Sequence, residues 1–198
     1  DGWNDKKFHP KLIQNYTEMI PKVANAGWKN LICFSGSRRG IDDETGWKNC
    51  TEGLKQIMDL AEKNNVMIIM ELLNSKVDHK DYQCDKTQWG VELCKRIGSS
   101  NFKLLYDIYH MQRMEGNIIA TLEKHIDRIG HIQIADSPLR HHPGTGEVNY
   151  RRVFEAIEKC DYQGSVGLEY VANGTTEESL DWLPREHRRG IHLEKLEL

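Results

Sequence analysis

The chain has 198 residues, 27 Lys and Arg against 30 Asp and Glu, and a formal net charge of −3. That near-balance lacks the basic excess a phosphate backbone demands and argues against nucleic acid as a partner. No run approaches the roughly 18 consecutive apolar residues of a membrane span, and the opening Asp1-Gly2-Trp3-Asn4-Asp5 lacks a signal-peptide pattern, so a cytoplasmic protein without membrane association is expected.

The first helical stretch carries Leu12, Ile13, Tyr16, Ile20 and Val23 at helical spacing. Pro21 is expected to kink or restart it, and Gly27 to cap it. A short apolar run at 31–34 predicts a strand. Leu54, Ile57, Met58 and Ala61 then form a second helix face, followed by a strand over 66–73. Val91, Cys94 and Ile97 mark a third helix, with Gly98 as its cap, and the run KLLYDI predicts a strand over 103–108. Ile118, Ile119, Leu122 and Ile126 give the next helix face, capped by Gly130, beside a strand over 129–135. Val153, Phe154 and Ile157 precede a last strand over 165–171. The strands are apolar enough to be covered on both faces, as in a parallel sheet. Trp28, Trp47, Trp89 and Trp182 read as packing residues. The five cysteines form no CxxC pair, which suggests reduced thiols rather than disulfides or a zinc knuckle.

Alternating βα units admit an open doubly wound sheet or a closed (β/α)8 barrel. No GxGxxG follows the first strand, which removes the main signature of a dinucleotide-binding sheet. A barrel instead puts functional side chains at the carboxyl ends of many strands. Glu71, Asp107, Gln133 and Glu169 sit near such ends, at intervals of 36, 26 and 36 residues. Singly, an acid at a strand end is ordinarily a helix N-cap or a solvated edge. Together, three converging carboxylates and an amide oxygen cost several kcal/mol to bury without a cation, so they imply one divalent ion. An all-oxygen set favours Mg2+ or Mn2+ over Zn2+; His110 or His131 in the sphere would shift that balance. His110 can hydrogen-bond a substrate oxygen or shuttle a proton. In the loop over 135–150, ADSPLRHHPGTGEVNY, prolines and glycines build a shaped turn, Arg140 can grip a carboxylate or hydroxyl, and Glu147 can anchor the loop.

The runs MELLNSKVDHKDY, DIYH, HIQIAD with SPLR and PGTGEVNY, and GLEY together resemble the hydroxypyruvate isomerase branch of the xylose-isomerase-like TIM barrels, which are sugar isomerases and epimerases. The resemblance runs from about residue 1 to 183. It implies a single divalent ion held by Glu71, Asp107, Gln133 and Glu169, with His110 and Arg140 contacting substrate. Gln133 is similar to the hydroxypyruvate isomerase pattern, where many epimerases carry His.

The implied reaction interconverts hydroxypyruvate and tartronate semialdehyde through an enediolate, with Glu71 and Glu169 as the acid–base pair. A ketose 3-epimerase with the same glutamates and metal is an alternative substrate reading. An inactive metal-binding fragment is an alternative of another class. The partner is a small keto acid or sugar, and the sequence also admits a homo-oligomer.

The resemblance makes the strand bearing Glu169 the eighth of a barrel. The chain would then be the carboxyl-terminal five βα units, strands 4 to 8, of a longer polypeptide: residues 1–183 as part of one barrel domain, and 184–198 as a charged tail. Such a part is expected to show five parallel strands, outer helices and one uncovered side.

Overall fold

The computed structural model describes residues 1–183. The expected charged tail over 184–198 lies outside the described residues. All five predicted strands are present: β1 (Asn30–Cys33), β2 (Met67–Glu71), β3 (Phe102–Asp107), β4 (Ile129–Ile134) and β5 (Ser165–Leu168). Their order in the sheet follows the chain, and the pairs β1 with β2, β2 with β3, and β4 with β5 are parallel. Helices separate them: α1 (His9–Asn25), α2 (Asp43–Lys63), α3 (Thr87–Ile97), α4 (Ile108–Met114), α5 (Ile118–His125) and α6 (Tyr150–Lys159). The chain divides into two compact units, one over residues 1–105 and one that begins at Tyr106.

In the first unit, α2 starts at Asp42, whose carboxylate accepts from the Thr45 amide at 2.8 Å, and Asp43 and Glu44 favour the positive end of its dipole. Its Leu54, Ile57, Met58 and Ala61 are buried, as their helical spacing predicts. Helix α2 packs between α1 and α3. Gly98 ends α3 in the left-handed conformation, with φ +74°. Helix α1 runs through Pro21 without the predicted restart. The reason is burial: Ile20 and Val23 on either side are locked in the core, which outweighs one lost backbone hydrogen bond.

The N-terminal segment is bound tightly to the loop after β1. Asn4, 1% exposed, donates through Nδ2 to Ser37 O and to Gln83 Oε1, both at 2.7 Å, while its own carbonyl accepts from Asn49 Nδ2 at 2.8 Å. Gly2 passes so close that a Cβ there would lie 2.3 Å from Gly36 N and 2.4 Å from Ser35 O. Backbone cannot yield as a side chain can. Gly2→Ala is therefore expected to destabilise the protein by about 1–3 kcal/mol, read as a lower thermal midpoint; an unchanged midpoint would show that the segment is not anchored there.

In the second unit, Asn149 caps α6 by accepting from Arg152 N at 3.2 Å, and α5 packs on α6. Two sequence expectations are corrected here. Gly130 is not a helix cap but a residue inside β4, because α5 tightens into a turn over 126–128 and the strand starts directly at Ile129. The last strand stops at Leu168 rather than 171, since the Val171 amide bonds to Arg140 O instead of continuing the ladder.

Burial also differs along the sheet. The strands β2 and β3 are buried at all but one position each, whereas β1 and β5 at the ends of the order are partly open, with Leu168 38% exposed. Trp47 stacks on Trp89, and Trp182 on Phe154, as packing residues do, but Trp28 is 69% exposed and packs little. Among the described residues no helix is long and apolar enough to cross a membrane.

Candidate active site

Each proposed site residue lies at or just beyond the carboxyl end of a strand, or on the loop that follows it. In the first unit, Glu71 is the last residue of β2 and is 6% exposed. Its backbone is pinned by the Tyr82 hydroxyl, which donates to Glu71 O at 2.9 Å and accepts from Ser35 N at 3.0 Å. The register sets Glu71 opposite Leu105 of β3, two residues before that strand ends at Asp107.

In the second unit, Asp107 is fully buried and begins α4: its Oδ1 accepts from the His110 amide at 3.0 Å. The ordinary reading of an acid at a strand end, a helix N-cap, is therefore true of this residue. Its other oxygen does something further. Oδ2 lies 3.6 Å from Arg140 Nη2, and the same nitrogen donates to Glu169 Oε2 at 2.9 Å. One guanidinium thus joins two carboxylates from different strand ends. Glu169 follows β5 directly, with its amide donating to Ile134 O at 3.2 Å, and its side chain is 46% exposed.

Gln133 on β4 faces Gly167 of β5 across the ladder, and its Oε1 is buried without a hydrogen-bond partner among the described residues. An orphaned acceptor of this kind costs about 1–3 kcal/mol unless something electropositive meets it. His131, two residues earlier on the same strand face, bonds through Nδ1 with Ser165 Oγ at 2.8 Å, and the missing side chain at Gly167 makes its room: a Cβ there would lie 2.8 Å from His131 Nε2. Burial pushes the His131 imidazole below its usual range, which the negative charge of Glu169 opposes. His110, fully buried, packs its ring against Tyr109 at 5.2 Å.

The second unit therefore brings Asp107, Arg140 and Glu169 together, while Glu71 is placed by the first unit. Glu147, expected to anchor its loop, accepts from Ser137 Oγ at 3.0 Å and donates its amide to Ser137 O. One residue escaped the sequence reading. Asp136, 1% exposed, accepts from four backbone amides within that loop. The signal was present in two glycines and two prolines packed into nine residues, a turn that needs an internal acceptor.

The donor set fits a divalent ion. Asp107 and Glu169 already converge on a cation, the Arg140 guanidinium, and the unmet Gln133 oxygen is a hard donor of the kind such an ion takes.

Parallel strands joined by helices, with acids and amides at their carboxyl ends, define the class of α/β proteins whose chemistry sits at one mouth of the sheet. The family model described as a xylose isomerase-like TIM barrel matches residues 4–186, and the chain belongs to that family. It is 39% identical over 158 residues to a hydroxypyruvate isomerase of Escherichia coli (strain K12), covering 79% of this chain and 61% of that protein. To a 2-oxo-tetronate isomerase of Cupriavidus necator it is 36% identical, over 67% of this chain and 50% of that protein. The solved structure of an AP endonuclease, family 2, from Brucella melitensis is similar at a TM-score of 0.81 and 29% identity, covering 87% of this chain and 67% of that one. The chain thus spans about half to three fifths of the length of these curated relatives.

Proposed function

We propose that the protein is a divalent-metal-dependent isomerase that interconverts hydroxypyruvate and tartronate semialdehyde. The observation that carries this reading is the Arg140 guanidinium set against Glu169 and Asp107, together with the buried, orphaned oxygen of Gln133 on β4. The names of the relatives support it: both curated isomerases act, by name, on short 2-oxo acids or their hydroxy forms. In the same reading the five strands are the fourth to eighth of an eight-stranded barrel, residues 1–183 belong to one such domain, and the setting is a reducing cytoplasm, in keeping with five free cysteines. The greater length of the relatives supports the barrel assignment.

Glu71, Asp107, Gln133 and Glu169 would hold the ion. Mg2+ or Mn2+ suits the oxygen donors. When bound, the ion would supply positive charge to stabilise the enediolate formed as the two neighbouring carbons exchange oxidation level. Arg140 pairs with the substrate carboxylate, for which its planar fork is suited. His110 hydrogen-bonds a substrate oxygen. One of Glu71 and Glu169 takes the proton from the hydroxyl-bearing carbon, the other returns a proton to the neighbouring carbon, and the hydroxyl proton passes to the former carbonyl oxygen.

The test is proton NMR of hydroxypyruvate in heavy water with the purified protein and Mg2+ or Mn2+. Tartronate semialdehyde carrying solvent deuterium is expected, with free ketohexoses left untouched. Turnover of ketohexoses without hydroxypyruvate would replace this reading with a 3-epimerase, and no turnover of either would leave a metal-binding protein.

A further inference from the structure

The Arg140 loop is built around a buried carboxylate. Asp136 Oδ1 accepts from Ser137 N at 2.9 Å and Val148 N at 3.0 Å, while Oδ2 accepts from Gly144 N at 3.0 Å and Gly146 N at 2.9 Å. Its own backbone ties the start of the loop: Asp136 N donates to His141 O at 2.7 Å, and Asp136 O accepts from Arg140 N at 2.9 Å. Arg140 sits in the left-handed region, with φ +59°, a conformation most side chains avoid and the surroundings must enforce. Four charge-assisted hydrogen bonds to one buried carboxylate provide that enforcement. The far side of the loop is closed by Arg140 O, which accepts from Val171 N at 2.7 Å, two residues after Glu169.

We infer that Asp136 is a positioning residue: its carboxylate holds the loop over 137–148 so that the Arg140 guanidinium stands at Glu169 and the substrate. The inference rests on the substrate role of Arg140 given above. An Asn at this position has the same shape, but whichever way its amide turns, two of the four backbone N–H groups face an NH2 instead of an oxygen.

Asp136→Asn is expected to raise KM for hydroxypyruvate about tenfold, since a misplaced contact of about 1 Å costs up to 10²-fold. KM and kcat should move in the same directions and proportions as in Arg140→Gln. The double variant should be no worse than Arg140→Gln alone, because both changes remove one function. A role in stability alone would instead multiply with it. Gly146→Ala provides a second route that leaves the carboxylate in place: its Cβ would lie 2.0 Å from Ser137 O and 2.6 Å from Asp136 Oδ1, wedging the cradle from an exposed position. It should give the same kinetic signature even if Asp136→Asn yields too little protein. Wild-type KM in Gly146→Ala and Asp136→Asn, or multiplication of Asp136→Asn with Arg140→Gln, would overturn the inference while leaving the isomerase reading intact. A silent Arg140→Gln would overturn both the substrate role of Arg140 and the inference that depends on it.

Discussion

Glu71→Gln and Glu169→Gln are each expected to lower kcat/KM for hydroxypyruvate by roughly 10²–10⁴-fold, the usual worth of a positioned acid or base. Each also replaces a negatively charged oxygen donor with a neutral one. The fold should be little affected for reasons particular to each site. Glu169 is half exposed, and a Gln in its place still offers an oxygen to Arg140 at the 2.9 Å contact. Glu71 is held in β2 by its backbone, through Tyr82 and the ladder to Leu105, and Gln keeps the shape of its side chain. Deuterium transfer from solvent into product should disappear together with turnover. Either variant working within threefold of wild type, with an unchanged melting curve, would remove that glutamate from the acid–base pair.

The second large effect is expected from chelation. Dialysis against a strong chelator should abolish turnover, and Mg2+ or Mn2+ should restore it more fully than Zn2+, because the proposed donors are oxygens. The orphaned Gln133 oxygen gives a second readout without an assay of turnover. Burying an unmet acceptor is costly, so Mn2+ or Mg2+ should raise the thermal midpoint of the wild type, by mass action on the folded state. Gln133→Leu removes the proposed ligand and the orphaned atom at once, and should reduce that rise. A chelated sample with full activity, or a midpoint indifferent to metal, would take the ion out of the mechanism.

Much of this arrangement was legible in the amino-acid order because it follows from burial. Strands β2 and β3 are covered almost throughout, so VMIIM and KLLY had to be apolar, and a Glu or Asp closing such a run stands out. The ends of the sheet were harder to read. Tyr170 and Val171 continue an apolar pattern but leave the ladder, because the Arg140 loop competes for the Val171 amide. Pro21 shows the reverse failure: a local rule for breaking a helix gave way to the packing of Ile20 and Val23. Asp136 was hidden for a different reason. Its partners are backbone amides, and amides are the same in every residue, so only the crowding of Gly144 and Gly146 hinted at a common acceptor.

Asp107 performs two duties with two oxygens: Oδ1 caps α4, and Oδ2 faces the guanidinium. Asn caps a helix as well as Asp does, so replacing one by the other would spare the cap and remove only the charge. The capping oxygen and the oxygen that faces Arg140 are thus separable by one substitution. In a duplicated copy no longer selected for turnover, Asn at 107 would keep the start of α4 while altering the charge that meets Arg140, so helix content would be a poor witness to the loss, and the response of the melting curve to metal a better one.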